Sequence, residues 1–304
     1  MSEPASPLER APSGLLPGRD VWLKREDVHE LGSFKWRGAL PTIRALETDG
    51  AATVVTASTG NHGAAVAWAA TRVGLSAVVY VPANASRAKL DLIERHGAEL
   101  RAVGADLDEA KEQAVSWAAE SGHPFFEDGA ERPQFEGYRT IGAEILEQLE
   151  TVPAAVVVPV GNGALLGGIG LELCERSPET LRIGVAAAAA PVMAESWRAG
   201  EALPPGSCST FADGLAVRVA IPSAVAVLGE VASEMLVVSE REIARAVGAY
   251  ADIGIRAEGA AAAALAALPQ LERPDGPVVL VLTGRNIDDD LHRRAATDPE
   301  SFPD

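Results

Sequence analysis

The strongest constraint on this chain is an alternation. Short runs rich in valine and alanine at 53–56, 77–81, 99–103 and 155–160 take turns with helix-patterned segments at 62–73, 86–96, 106–121 and 164–175. A β-branched run without polar alternation must be covered on both faces, and the intervening helices supply the cover, so the pattern predicts an α/β fold with mainly parallel sheets and helices on both faces. The theme continues with strands expected at 182–185, 236–238 and Val278–Leu282. Helices are expected at 35–46, at 240–251 behind a capping box of Ser239 and Glu242, and over the alanine-rich 260–267. Residues 1–20 read as an extended arm leading into a strand at 21–24, and the acidic tail after Arg294 is expected to fray.

Composition narrows the function classes. A net charge of −17 and a pI near 4.7 argue against nucleic-acid or anionic-membrane partners, while a small anion remains compatible because helix N-termini hold anions locally. Cys174 and Cys208 lack metal-like spacing, which fits a reducing compartment. No apolar run reaches the roughly 18 residues of a membrane helix, and Met1-Ser2-Glu3-Pro4 has no basic leader pattern. The expected location is the cytoplasm.

Four loops could carry chemistry. In Gly32-Ser33-Phe34-Lys35-Trp36-Arg37-Gly38-Ala39 a lysine stands at a strand-loop-helix junction, in a chain with only four lysines. A primary amine can form a Schiff base with an aldehyde cofactor and arginine cannot; the alternative is a solvated first-turn residue. Ser58-Thr59-Gly60-Asn61-His62-Gly63 follows the run at 53–56, and its hydroxyls and helix-start amides suit a carboxylate or phosphate, unless Ser58 or Thr59 is merely an N-cap. Gly161-Asn162-Gly163-Ala164-Leu165-Leu166-Gly167-Gly168 allows several amides to converge on a phosphate, or is a plain glycine-rich turn. Thr283-Gly284-Arg285-Asn286 ends a strand where α/β ligands collect, and Thr283 could meet a ring nitrogen or cap a helix. His29, His96, His123 and His292 read as surface or loop residues and the five tryptophans as packing.

Together and in this order, the four loops resemble the fold-type II pyridoxal-phosphate enzymes, specifically the threonine/serine dehydratase and serine racemase branch. Leu23-Lys24-Arg25-Glu26-Asp27 and Phe211-Ala212-Asp213-Gly214-Leu215-Ala216 are similar to further segments of the branch, and Gly137 to Glu144 and Ala257 to Ala260 are looser matches. The resemblance implies a large cofactor domain from 1–47 and 133–304 and an inserted small domain at 48–132. It implies that Lys35 anchors pyridoxal phosphate covalently and that Phe34 and Asn61 flank it. Gly161, Asn162, Gly163, Ala164 and Leu165 would hold the phosphate, and Thr283 would meet the pyridine nitrogen. Ser58, Thr59, Gly60, Asn61 and His62 would receive the substrate carboxylate.

The activity implied is α,β-elimination from a β-hydroxy amino acid such as L-threonine or L-serine, giving a 2-oxo acid and ammonia, in a homodimer. Alternatives are β- or γ-replacement, racemisation, or a catalytically silent anion-binding relative. This chain departs from the branch in several places. Asn162 and Ala164 stand where glycine is usual, Thr59 where racemising members carry serine, and Arg285 where glycine is usual. Residues 186–190, an alanine run, offer no carboxylate where some members bind a divalent metal, so no metal site is expected.

Overall fold

A computed structural model describes residues 3–12, 15, 18–85, 87–272 and 275–304. Met1, Ser2, Ser13, Gly14, Leu16 and Pro17 of the expected arm, and Ser86, where one helix was expected to begin, lie outside the described residues. In chain order the elements are β1 (Leu8–Arg10), β2 (Val21–Arg25), α1 (Trp36–Thr48), β3 (Thr53–Ala57), α2 (Asn61–Val73), β4 (Ser76–Val81), α3 (Arg87–Arg95), β5 (Glu99–Ala102) and α4 (Leu107–Ser121). They continue with α5 (Arg132–Gln148), β6 (Ala155–Pro159), α6 (Ala164–Arg176), β7 (Leu181–Ala187), α7 (Val192–Ala199), α8 (Pro222–Val231) and β8 (Glu234–Val238). Last come α9 (Glu240–Asp252), α10 (Gly259–Ala266), β9 (Val278–Leu282) and α11 (Asp289–Thr297).

The chain divides into two compact units, one of Met1–Ser33 with Tyr138–Asp304 and one of Phe34–Gly137. The first holds a six-stranded sheet in the order β1-β2-β9-β6-β7-β8, parallel throughout except for the short antiparallel β1. The second holds a parallel three-stranded sheet, β3-β4-β5. The expected small domain at 48–132 lies inside this second unit, which also takes in α1, packed on α2 through an edge-on contact of Trp36 and Trp68 with ring centroids 6.4 Å apart. The fold is thus α/β with mainly parallel sheets.

Burial follows the residue pattern. Every side chain of β6 and β9 is buried, as a strand covered on both faces requires. α10 is almost wholly alanine and buried on all sides, its small side chains allowing close approach. α9 begins with the capping box expected from Ser239 and Glu242.

Two expectations differ from the structure. The tail does not fray: Phe302 is buried against Phe211 at a centroid distance of 4.6 Å, and Glu300 and Asp304 pair with Arg245 and Arg241 at 2.6 and 2.7 Å. A single aromatic anchor and two acid-arginine pairs supply contacts that the tail's acidic composition concealed. The elements β1, α5, α7 and α8 also exceed the sequence reading. β1 is three residues in a Pro/Gly-rich arm, and α5 carries Pro133, Gly137 and Gly142, which dilute a helical pattern.

One buried charge ties the first unit together. Lys24 on β2 is wholly buried, and its ammonium donates to Ser6 O at 2.7 Å, Glu144 Oε2 at 2.6 Å and Gln148 Oε1 at 2.9 Å. All three of its N–H groups are therefore used, linking the N-terminal arm, β2 and α5. Ser6 Oγ in turn donates to buried Glu26. Removing one member of such a network strands its partners, so Lys24→Ala should cost on the order of 3–5 kcal/mol. Urea denaturation of the variant beside the parent checks this; a loss under about 1 kcal/mol, the worth of an exposed pair, would contradict it.

Candidate active site

In the unit Phe34–Gly137, Lys35 is the residue just before α1, and its Nζ lies 2.6 Å from Asp128 Oδ2. The ring of Phe34, itself buried, lies 5.1 Å from the same nitrogen. Asp128 arrives because the chain after α4 pairs briefly with β3, through a parallel bridge of Phe125 to Val55 and a bond from Phe126 N to Val55 O. That pairing carries the following residues to the carboxyl end of β3, where Ser58-Thr59-Gly60 also begins. The sequence reading missed Asp128. The only signal was Phe125-Phe126 ahead of two acids, a single-bridge strand too short to show a period.

Behind Asp128 stands an ordered set of polar groups. Gln134 Nε2 donates to Asp128 Oδ1 at 2.6 Å, and Gln134 Oε1 accepts from Gly129 N at 2.7 Å. His62 Nδ1 lies 3.5 Å from Asp128 Oδ1, while His62 Nε2 lies 3.1 Å from Thr56 Oγ1. Thr56 has one hydroxyl proton and gives it to Phe126 O at 2.9 Å, so the His62 contact requires Nε2–H to donate. Burial lowers the His62 pKa, with Asp128 opposing and Lys35 assisting, so the imidazole is neutral near pH 7. Its Nδ1 then presents a lone pair to the carboxylate. Burial alone would raise Asp128, yet the positive charge of Lys35 and the bonds from Lys35 and Gln134 outweigh it, holding the carboxyl well below the usual range.

Ser58, Thr59 and Gly60 form the turn between β3 and α2, and Asn61 and His62 open the helix. Neither Ser58 nor Thr59 caps it: the cap position is Gly60, and Ser58 Oγ accepts from Gly60 N at 3.2 Å instead. A Cβ on Gly63 would come within 2.9 Å of Ser58 O, so the turn is folded closely onto the helix.

In the other unit, β6 and β9 are parallel neighbours, so the loops that leave them adjoin. Gly161 follows β6, and a Cβ there would meet Gly214 O at 2.3 Å, which admits only glycine and seats the loop against Asp213-Gly214-Leu215. Gly163, the cap residue of α6, has a φ of +92°. Asn162 Oδ1 accepts from Ala164 N at 3.1 Å, so the asparagine side chain itself occupies one amide at the start of α6. Leu165 is buried in the first turn.

After β9, Thr283 is buried, and its Oγ1 has no partner among the described residues. Beside it, a Cβ on Gly284 would fall 2.7 to 3.0 Å from both carboxylate oxygens of Glu258, a buried residue that opens α10. Glu258 belonged to a loosely matching segment, and its place next to Thr283 comes from the structure. Arg285 N donates to Gly32 O at 2.9 Å, and its guanidinium reaches His29 O at 3.4 Å. Asn286 Nδ2 donates to Leu31 O at 2.7 Å, so the β9 loop is stitched to the loop after β2. Residues 186–190 cover the last two residues of β7 and the turn after it, and the Ala189 carbonyl is taken by Ser207 and Ser209. Among the described residues no three His, Cys, Asp or Glu side chains gather as a metal site, and no helix is long and apolar enough to cross a membrane.

These residues fit pyridoxal phosphate. An enclosed hydroxyl without a partner, Thr283 Oγ1, is what a ring nitrogen would satisfy, and the glycine-bounded start of α6 is the form of a phosphate cradle. A family model described as "Pyridoxal-phosphate dependent enzyme" matches residues 2–284. The L-threonine ammonia-lyase of Geobacter sulfurreducens is 34% identical over 275 residues, covering 89% of this chain and 68% of that protein. The processed form of threonine deaminase isoform 2 from Solanum lycopersicum superposes with a TM-score of 0.89 at 28% identity, covering 98% of this chain and 88% of that one. A fungal L-serine ammonia-lyase from Rhizomucor miehei superposes with a TM-score of 0.86 at 26% identity, over 97% and 98% of the two chains.

Because Asn162 occupies an α6 amide that a phosphate would otherwise use, Asn162→Gly should tighten binding of pyridoxal phosphate several-fold. Titration of cofactor-free protein, followed by fluorescence, reads the dissociation constant; weaker binding by the variant would mean that the asparagine itself serves the cofactor. Matched over most of its length in sequence and shape, and carrying a lysine, an amide-rich loop and a buried hydroxyl of the right kinds, the chain belongs to the pyridoxal-phosphate dependent enzymes, as a lyase.

Proposed function

We propose that the protein eliminates water from a β-hydroxy amino acid, L-threonine or L-serine, giving a 2-oxo acid and ammonia. The observation that carries this reading is the pairing of Lys35, its amine held 2.6 Å from Asp128, with the Ser58-to-His62 turn at the head of α2 in the same unit. Support comes from the L-threonine ammonia-lyase and L-serine ammonia-lyase to which the chain is similar.

Pyridoxal phosphate, when bound, supplies an aldehyde for the substrate amine and a conjugated ring that draws electron density from Cα. The protein's residues do the rest. Lys35 is the covalent anchor and then the base, its Nζ taking the Cα proton. Phe34 and Asn61 flank the ring. The loop Gly161, Asn162, Gly163, Ala164 and Leu165 holds the phosphate at the start of α6 through its amides other than Ala164 N, which the Asn162 side chain takes. Thr283 Oγ1 offers a neutral hydroxyl to the ring nitrogen. Ser58, Thr59, Gly60, Asn61 and His62 take the substrate carboxylate, His62 through its helix-start amide, its neutral ring being engaged with Thr56.

In the overall chemistry the Cα proton goes to Lys35, the Cβ–O bond breaks, and the hydroxyl leaves as water with the proton that Lys35 returns. The released enamine hydrolyses to oxo acid and ammonia. The reading keeps the homodimer implied by the resemblance and the cytoplasmic location expected from the sequence. Purified enzyme should release 2-oxobutanoate from L-threonine or pyruvate from L-serine, and Lys35→Ala should abolish release to below about one part in a thousand. Absence of either oxo acid, with a substituted amino acid formed on adding a thiol nucleophile, would replace elimination by β-replacement.

A further inference from the structure

We infer that Asp128 is a positioning residue for Lys35: its fixed carboxylate receives the lysine amine in its protonated form and holds it in one direction. The inference rests on the proposed role of Lys35 but not on the identity of the substrate. A base that takes up a proton becomes an ammonium, and the lysine stem has four rotatable carbons on which that charge could swing away. Asp128 Oδ2 stands 2.6 Å from Nζ, within reach of a charge-assisted bond.

The carboxylate cannot turn freely. Gln134, itself wholly buried, donates to the other oxygen, and it is braced in turn by Gly129 N. His62 packs beside that same oxygen with Nδ1 3.5 Å away; its tautomer is set by the Thr56 hydroxyl, so it closes off the space without bonding to the carboxylate. The surroundings also decide what kind of partner Asp128 is. Against the pull of burial, its carboxyl is held far down the acid range by the charge of Lys35 and the bonds from Lys35 and Gln134, while burial keeps His62 neutral. A proton passed from Lys35 to Asp128 would find a poor acceptor, and His62 behind it is a reluctant one. The three residues therefore store and aim a charge rather than relay a proton.

The test reads Lys35 without turnover. Cofactor-free protein is treated with acetic anhydride at one fixed pH, and the rate of acetylation is quantified on the Lys35 peptide by mass spectrometry. Lys111, paired with Glu127 at 2.7 Å, serves as an internal reference. In Asp128→Asn, Lys35 should react at least about threefold faster relative to Lys111, because the charge-assisted bond that holds and shields the amine is lost. Asp128→Glu should restore much of the parental rate, and Asp128→Ser replaces the asparagine variant if that one fails to fold. In the cofactor-loaded enzyme, kcat should fall at least about tenfold with KM little changed. An unchanged Lys35 rate in the neutral variants overturns the inference whatever turnover does. A raised rate in a protein that releases no oxo acid would uphold it and sink only the elimination reading.

Discussion

The parallel pairing of β6 with β9, in register at Val157 and Leu280, is the contact on which the placement of the candidate cofactor loops depends. Parallel strands deliver their carboxyl ends to the same edge, so whatever follows β6 and β9 must emerge side by side. Gly161 to Leu165 follow one strand and Thr283 the other. β2 lies on the far side of β9 and also runs parallel, so the segment to Ser33 leaves at the same edge, where Ser33 bridges Gly284 and Asn286 bonds to Leu31. The buried valines and leucines of the sheet thus fix where polar loops meet, without themselves touching a ligand. Lys24 braces the same strand from behind, which gives a buried charge a purpose in holding β2 and α5 together.

The smaller sheet repeats the principle with fewer residues. β3 ends at Ala57, the Ser58 turn leaves from there, and the one-residue bridge at Phe125 brings Asp128 to the same end. The result is a lysine, a carboxylate and a neutral histidine in sequence, each restrained by a group with a single available hydrogen-bonding role. Such restraint matters for a base that must first be bound and then free. Its direction is set by neighbours, while its reactivity comes from the cofactor.

Much of this was legible in the sequence because it rests on period and punctuation. Valine runs marked the sheets, glycines marked the loops at their ends, and Ser239 with Glu242 marked a helix start that the structure shows bonded as a capping box. Lys35 stood out through the scarcity of lysine. What escaped has physical causes. Asp128 lies 93 residues from Lys35, and a single bridge leaves no pattern. Phe302 is the tail's one aromatic anchor, joined by two acid-arginine pairs, so acidic composition suggested disorder where there is packing. The capture of Ala164 N by Asn162 depends on a side-chain direction that residue identity does not reveal.

The central claim is that Lys35 is the covalent anchor of the cofactor. Reduction of the loaded enzyme with borohydride, followed by peptide mapping, tests it most directly. One pyridoxyl group per chain is expected, on the peptide containing Lys35, and none on Lys24, Lys89 or Lys111. Label on any of those three, or no label on a protein that has bound the cofactor, would contradict it.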